Sequence, residues 1–337
     1  MKRKNTGDES DLLCDPFHER SAFRVRGPLP VLGSRIVFES NSPALLSLVD
    51  VAYSGLPRQR LPPAADELRV RLFLAPGPRA HRRSEPPPLQ MFSGVGFVGG
   101  ATDPSTLVVV SERQRTALVV VSPQMLRFPY HTRYEVIEFA VYALVARVQK
   151  LVSLHAACVG SKGRGVLLMG ASGAGKSTVM LQSLLQGLDF LSEDSVLVAP
   201  ATGLAMGVAN FLHVGSDSLR WVPRRMADRI RKSPVIQRRS GVKKFEIDLR
   251  RGGHRLAASP LKIGAVVFLS KQDAAGGPLL TALPAREVGV RLAESQAYAV
   301  NQPGWAAFAR GMSSLEVFEL RRGHHPLEAV AALRKLF

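Results

Sequence analysis

The chain is nearly devoid of cysteine. Only Cys14 and Cys158 occur among its 337 residues, too few for a disulfide framework or a multi-cysteine zinc site. Long apolar runs are missing too. The longest, such as that from Phe139 to Ala146, fall far short of the roughly 18 to 20 residues that a bilayer-crossing helix needs. Met1 to Asp11 is polar and charged with no apolar stretch behind it, so no secretory signal peptide is expected and the cytoplasm is the expected compartment. Acidic residues are scarce beside basic ones, 27 against 45, which leaves a net charge of +18.

That excess is concentrated. Residues 220–255 hold 13 basic and 3 acidic residues, more than half of the net charge, with Arg224-Arg225, Arg238-Arg239 and Lys243-Lys244 as adjacent pairs. So compact a patch points to one anionic surface to be met, an acidic partner protein, a phosphate-rich ligand or nucleic acid. A solvated basic face is the plainer alternative. Nucleic acid is the weakest of these, because Trp221 and Phe245 are not interleaved with the cations as base stacking would require.

Residues 1–20 mix charge with few apolar positions and read as a disordered tail. A small α+β unit is expected over 21–130. It comprises a strand at 35–39, a helix at 43–52 opened by Asn41-Ser42-Pro43, an alternating strand at 68–74, a proline-rich loop at 76–88, and a hairpin from β-branched runs at 107–110 and 117–121. Within 131–153, Val136, Ile137, Ala140, Val141, Leu144, Val145 and Val148 recur at spacings of three and four, which predicts a helix connecting two domains. Residues 154–337 open with two strands, 154–159 and 166–169, around a polar turn. The expected fold class is α/β, a nucleotide-binding domain preceded by a smaller α+β domain.

Between the second of those strands and an amphipathic helix stand Gly170, Ala171, Ser172, Gly173, Ala174, Gly175, Lys176 and Ser177, a full match to G-x-x-x-x-G-K-[ST] in the setting that motif requires. Glycines let backbone N–H groups turn inward around phosphates, and the positive end of the following helix faces them. These residues with Thr178 are expected to bind ATP, Lys176 on the β and γ oxygens and the Ser177 hydroxyl on Mg²⁺. Met180, Leu181, Leu184, Leu185 and Leu188 give the helix a buried side, with Gly187 as its cap. Gly94-Val-Gly-Phe-Val-Gly99 also spells a phosphate-binding pattern, G-x-G-x-x-G, but a β-branched run follows it instead of a helix, so a turn or bulge is expected there.

Phosphoryl transfer also needs a carboxylate to hold metal or accept a proton. Glu193 and Asp194 end the strand after the helix, on the sheet edge where ligands of α/β folds collect. Neighbours on a strand point to opposite faces, so one of the pair is expected at the site unless the strand ends in a turn. His155, between Leu154 and Ala156, reads by itself as an ordinary core residue.

Together, Leu154-His155-Ala156, the glycine-rich run to Ser177, and Leu191-Ser-Glu-Asp194 resemble the catalytic domain of the HPr kinase/phosphorylase family. His155 stands 22 residues before Ser177 and Asp194 stands 17 after it, the spacings of that family. The resemblance implies a P-loop kinase domain of HPr kinase type. It makes Asp194 the proton acceptor for an attacking serine hydroxyl, His155 and Lys176 its catalytic partners, and Ser177, Glu193 and Asp217 the metal residues. The family's usual Asp-Asp is Glu193-Asp194 here, and Trp221-Val-Pro-Arg-Arg225 replaces a family Gly-rich stretch. A homo-oligomer is implied as well. The expected function is an ATP- and Mg²⁺-dependent serine kinase acting on a small acidic protein or peptide at 220–255, with no membrane partner. A nucleotide-gated binding protein without phosphoryl transfer, and an ATPase acting on nucleic acid, are the alternatives.

Overall fold

Period-two alternation of apolar residues builds the first of three sheets. The computed structural model describes residues 22–57, 64–76, 85–94, 96–103 and 105–337; the expected tail at 1–20, Cys14 and much of the proline-rich loop lie outside them. Strands β1 (Arg24–Val31) and β2 (Ser34–Ser40), helix α1 (Pro43–Tyr53), then β3 (Glu67–Leu74), β4 (Gln90–Gly94), β5 (Phe97–Asp103), β6 (Thr106–Ser111) and β7 (Thr116–Val121) follow in chain order. Their sheet runs β1-β2-β3-β7-β6-β5-β4, parallel at β2-β3-β7 and antiparallel elsewhere. Ile36, Phe38, Val70, Leu72, Val108 and Val119 turn inward and are buried. The G-x-G-x-x-G run falls on the β4–β5 hairpin with no helix after it, as its surroundings predict.

Chain 132–148 covers this sheet. A π-helical turn, Thr132–Ile137, leads into α2 (Glu138–Val148), and six of the seven apolar residues expected on its buried face have no exposure, Val148 being partly buried. The helix ends at Val148, short of the expected 153. Lys150 takes a left-handed φ of 54°, and Leu151 N–H turns back to the Ala146 carbonyl at 2.8 Å, closing the last turn. The core that α2 enters also takes in Leu197, Met206 and Val208 from later in the chain.

The second sheet is built from β8 (Val152–Leu154), β9 (Ala157–Ser161), β10 (Arg164–Met169), β11 (Asp189–Ser192), β12 (Val196–Ala199), β13 (Leu204–Gly207), β17 (Leu261–Asp273), β18 (Leu280–Ala282) and β19 (Glu316–Arg322). Its order is β11-β9-β10-β17-β13-β12-β8, with β19 also paired to β17 and β18 to β19. Helices α3 (Lys176–Leu185) and α7 (Pro326–Arg334) cover one face, and α5 (Ala285–Ser295) and α6 (Trp305–Ser313) the other. Because both faces are covered, the strands read as continuous apolar runs: Val166 and Leu168 pack with the first pair of helices, Leu167 and Met169 with the second. Helix α4 (Arg224–Arg231) and a small antiparallel sheet, β14 (Phe211–Val214), β16 (Lys243–Asp248) and β15 (Val235–Gln237), complete the structure.

The single strand expected at 154–159 is two strands. β8 pairs with β12 while β9 pairs with β10 and β11, so the chain changes partners at His155-Ala156. Gln296 satisfies the backbone there, accepting from His155 N–H at 2.8 Å and donating to its carbonyl at 3.1 Å. Among the described residues no helix is long and apolar enough to cross a membrane.

Close packing at the end of β11 is tightest at Gly207. A methyl group there would lie 2.6 Å from Ser192 Cβ and 2.9 Å from the Leu191 carbonyl oxygen. Gly207→Ala should therefore destabilise the protein by about 1–3 kcal/mol. Urea titration of wild type and variant measures this, and equal midpoints would contradict the packing described.

Candidate active site

The chain leaves β10 at Met169 and must reverse within six residues to enter α3. Gly173 and Gly175 make that possible with φ of 79° and 99°, which other residues adopt only with strain. Nothing lies within 4 Å of where a Gly175 side chain would sit, so backbone conformation and not space demands the glycine. No side chain caps the first N–H groups of α3, and Ala171 to Gly173 are exposed. Arg322 donates to the Gly173 carbonyl at 2.6 Å, adding a cation to the rim of the loop. Such a start to a helix suits an anion. At the other end Gly187, at φ 75°, caps α3 as expected.

Lys176 turns from the loop toward Asp194. Its Nζ lies 3.4 Å from Asp194 Oδ1 and donates to His155 Nε2 at 3.2 Å. Arg238 holds the other oxygen, Nη2 to Oδ2 at 2.7 Å, and Tyr134 OH donates to the same oxygen at 3.4 Å. Burial works to raise the Asp194 carboxyl, but Lys176, Arg238 and His155 outweigh it and hold the group well below the ordinary carboxylate range. Desolvation of the ring and the Lys176 charge hold His155 below the usual imidazole range. As a neutral ring it can accept the lysine's proton bond.

β11 ends at Ser192, so Glu193 and Asp194 lie in a bend and both reach the site. Glu193 Oε1 accepts from the Ser177 hydroxyl at 2.5 Å. Its other oxygen accepts from His213 N–H at 2.7 Å and lies 3.2 Å from His213 Nδ1. His213 on β14 sits opposite Glu246 on β16, and its Nε2 lies 3.1 Å from Glu246 Oε1. Desolvation opposes charge on this ring, yet hydrogen bonds to the two glutamates prevail and raise its pKa. Glu246 in turn accepts from Arg133 at 2.5 Å, and Arg133 donates to Glu138 at 2.8 Å while lying 4.3 Å above the Phe211 ring. A continuous chain of charge thus runs from Ser177 to α2.

Among the residues singled out from sequence, the loop with Lys176, Ser177, His155, Glu193 and Asp194 is one site. Asp217 stands apart: it is exposed on a 3₁₀ turn, Ser216–Trp221, with its carboxylate folded back over Gly215. In its place, His213 joins Glu193 and Asp194, whose ligand atoms all lie within 4.8 Å of one another. The basic segment 220–255 is not one outward face either. Arg238 turns inward to Asp194, Lys244 Nζ lies 3.4 Å from Ser177 Oγ, and Arg239 is bound to Glu135 at 2.9 Å. Arg224, Arg225, Arg229 and Lys232 remain exposed on and beside α4. Sequence reasoning missed His213, Tyr134 and Glu246. A lone histidine 19 residues past Asp194 carries no spacing signal, and Tyr134 lies in a segment that reads as core helix.

Behind Asp194 lies a cavity of about 240 Å³, lined by Tyr134, Tyr142, Ser153, Glu193, Ser195 and His213 among others. Chemically, the site offers a cationic cradle for a polyanion, oxygen donors for a hard metal ion, and a buried carboxylate beside both.

No protein-family model and no curated protein matches the chain. Among solved structures, the Hpr(Ser) kinase/phosphatase from Coxiella burnetii is similar at 14% identity and a TM-score of 0.26, over 54% of this chain and 88% of that one. So loose a likeness carries no argument about the fold or the function of this chain.

The buried arginine offers a direct check of the charge chain. Arg133→Met leaves Glu138 and Glu246 buried without their cation, which should cost about 3–5 kcal/mol. Uncompensated burial raises carboxyl pKa, and a raised folded-state pKa gives stability that is lost as pH rises, so the deficit should be larger at pH 7 than at pH 5. Urea unfolding at the two pH values tests this; a deficit independent of pH would contradict it.

Proposed function

We propose that the protein is an ATP- and Mg²⁺-dependent phosphotransferase that phosphorylates serine on a small acidic protein or peptide, with residues 154–337 as a catalytic unit of HPr kinase type. The observation that carries this reading is the convergence of Lys176 and Asp194, 3.4 Å apart, at the mouth of the glycine-rich loop. Lys176 and the open N–H groups of α3 bind the phosphates. Ser177 Oγ and Glu193 Oε1, 2.5 Å apart, are hard oxygen donors suited to Mg²⁺, which takes one or two protein carboxylates and completes its shell with water and phosphate. Bound there, it would neutralise charge on the phosphates. Asp217, outside the cluster, is not needed for that set.

Held as it is by two cations, Asp194 is a poor base. Phosphate oxygens compete for Lys176, and as that ammonium turns to them the carboxylate gains proton affinity and can accept the proton of a serine hydroxyl. His155 stays neutral and keeps Lys176 aimed between the two. Acidic acceptors fit the exposed arginines of α4, which would steer them electrostatically.

Three variants test the reading with γ-labelled ATP, Mg²⁺ and acidic serine peptides, phosphoserine being read by mass spectrometry. Lys176→Ala should lower transfer about 10²–10³-fold and weaken ATP binding. Asp194→Asn should abolish transfer with ATP affinity within about threefold of wild type. Glu193→Gln should chiefly raise the Mg²⁺ requirement. ATP binding with no transfer to any acceptor or to water would favour a nucleotide-gated binding protein instead. For the docking surface, Arg224→Glu with Arg225→Glu should raise the acceptor KM about tenfold and leave ATP affinity unchanged, with the wild-type KM rising steeply with salt. An unaltered KM would move the acceptor elsewhere.

A further inference from the structure

The β15–β16 hairpin reaches into the site from a part of the chain that the nucleotide motif does not include. Arg238 opens its tip: Arg238 N–H bonds the Val242 carbonyl at 2.9 Å, and Gly241, at φ 77°, returns its N–H to the Arg238 carbonyl at 2.8 Å. Arg239 anchors the tip to a different element, donating to Glu135 at 2.9 Å and to the Pro87 carbonyl at 3.1 Å. With that anchor, Arg238 points the opposite way. Its guanidinium lies 5.1 Å over the Tyr134 ring, donates to Tyr134 OH at 3.3 Å, and meets Asp194 on the oxygen that Lys176 does not approach.

Arginine has five N–H donors in a fixed fork. Here Nη1 and Nη2 are engaged, but Nε–H is buried and has no hydrogen-bond partner. A buried donor left unmade is costly, and an acceptor bound during the reaction would satisfy this one. The edge of the fork that Nε shares with an Nη is one that can bind phosphate in two-pronged fashion. The same hairpin also delivers Lys244, 3.4 Å from Ser177 Oγ.

We propose that Arg238 is a catalytic arginine supplied in cis by the β15–β16 hairpin, which leaves Asp194 for the transferring phosphoryl group and neutralises the charge spread over its equatorial oxygens. This rests on the phosphotransferase reading. It takes Arg238 out of acceptor docking and gives the hairpin a role in chemistry. Asp194 holds the guanidinium in place beforehand, and its removal from Asp194 at the moment of transfer frees the carboxylate for the incoming proton. The γ-phosphorus of ATP parts from the β–γ bridging oxygen, which leaves on ADP, and bonds the acceptor oxygen; the acceptor proton passes to Asp194, and Arg238 forms and breaks no covalent bond.

The test uses MgATP with water as acceptor, and ADP–aluminium fluoride as a mimic of the transition state, on the full chain. Arg238→Ala should lower kcat about 10²–10³-fold with the KM for ATP within about threefold, because the contact is made in the transition state. Affinity for ADP–aluminium fluoride should fall by a similar factor while ATP affinity holds. Arg238→Lys should recover little, since an ammonium lacks the fork, and added guanidinium should partly restore Arg238→Ala. Normal turnover in Arg238→Ala, or equal losses of ATP and ADP–aluminium fluoride affinity, would overturn the assignment while leaving Lys176-dependent turnover intact. If wild type shows no Lys176-dependent turnover with water or with the acidic serine peptides, the phosphotransferase reading fails and this inference with it.

Discussion

Two carboxylates placed side by side at the end of β11 create a demand for positive charge that most of the site exists to meet. Asp194 takes Lys176 from the loop and Arg238 from the hairpin, while Glu193 takes the His213 backbone and ring. Buried ions persist only when paired and hydrogen-bonded, so each acid draws its partner from a different element. Loop, hairpin, β14 and the π-helical turn are thereby tied to one point.

The pairing has a consequence for reach. Glu193 is linked through His213, Glu246 and Arg133 to Glu138 on α2, and α2 belongs to the core of the first sheet. The carboxylate that faces Ser177 is therefore positioned partly by packing far along the chain from the glycine-rich loop. A half-broken network of this kind is costly, which makes the position of Glu193 sensitive to how the first sheet packs.

The division of the basic segment follows from the same demand. Arg238 and Lys244 are consumed by the site, and Arg239 by Glu135, while the arginines of α4 and its flanks, with Arg251 and Arg255 beyond β16, stay exposed to solvent. Net charge by itself carries no such distinction, because a count of cations records neither the direction of a side chain nor the acids it will meet.

Local sequence was enough for the features that local physics controls. Period-two runs marked β2, β3, β6 and β7, three-and-four spacing marked the buried face of α2, and glycines at forced φ marked the loop before Lys176 and the end of α3. Lys176, Ser177, Glu193 and Asp194 were legible because short spacings around one strand–loop–helix unit bring them to one edge, whereas His155 was marked only by the family resemblance. The break at His155 was not, since it depends on β8 and β9 choosing different partners and on Gln296, far along the chain, satisfying the backbone. Neither was the exchange of Asp217 for His213, nor the inward turn of Arg238. Those are settled by pairing between strands and by buried charges seeking counter-charges across long loops, and such contacts leave no period in the sequence.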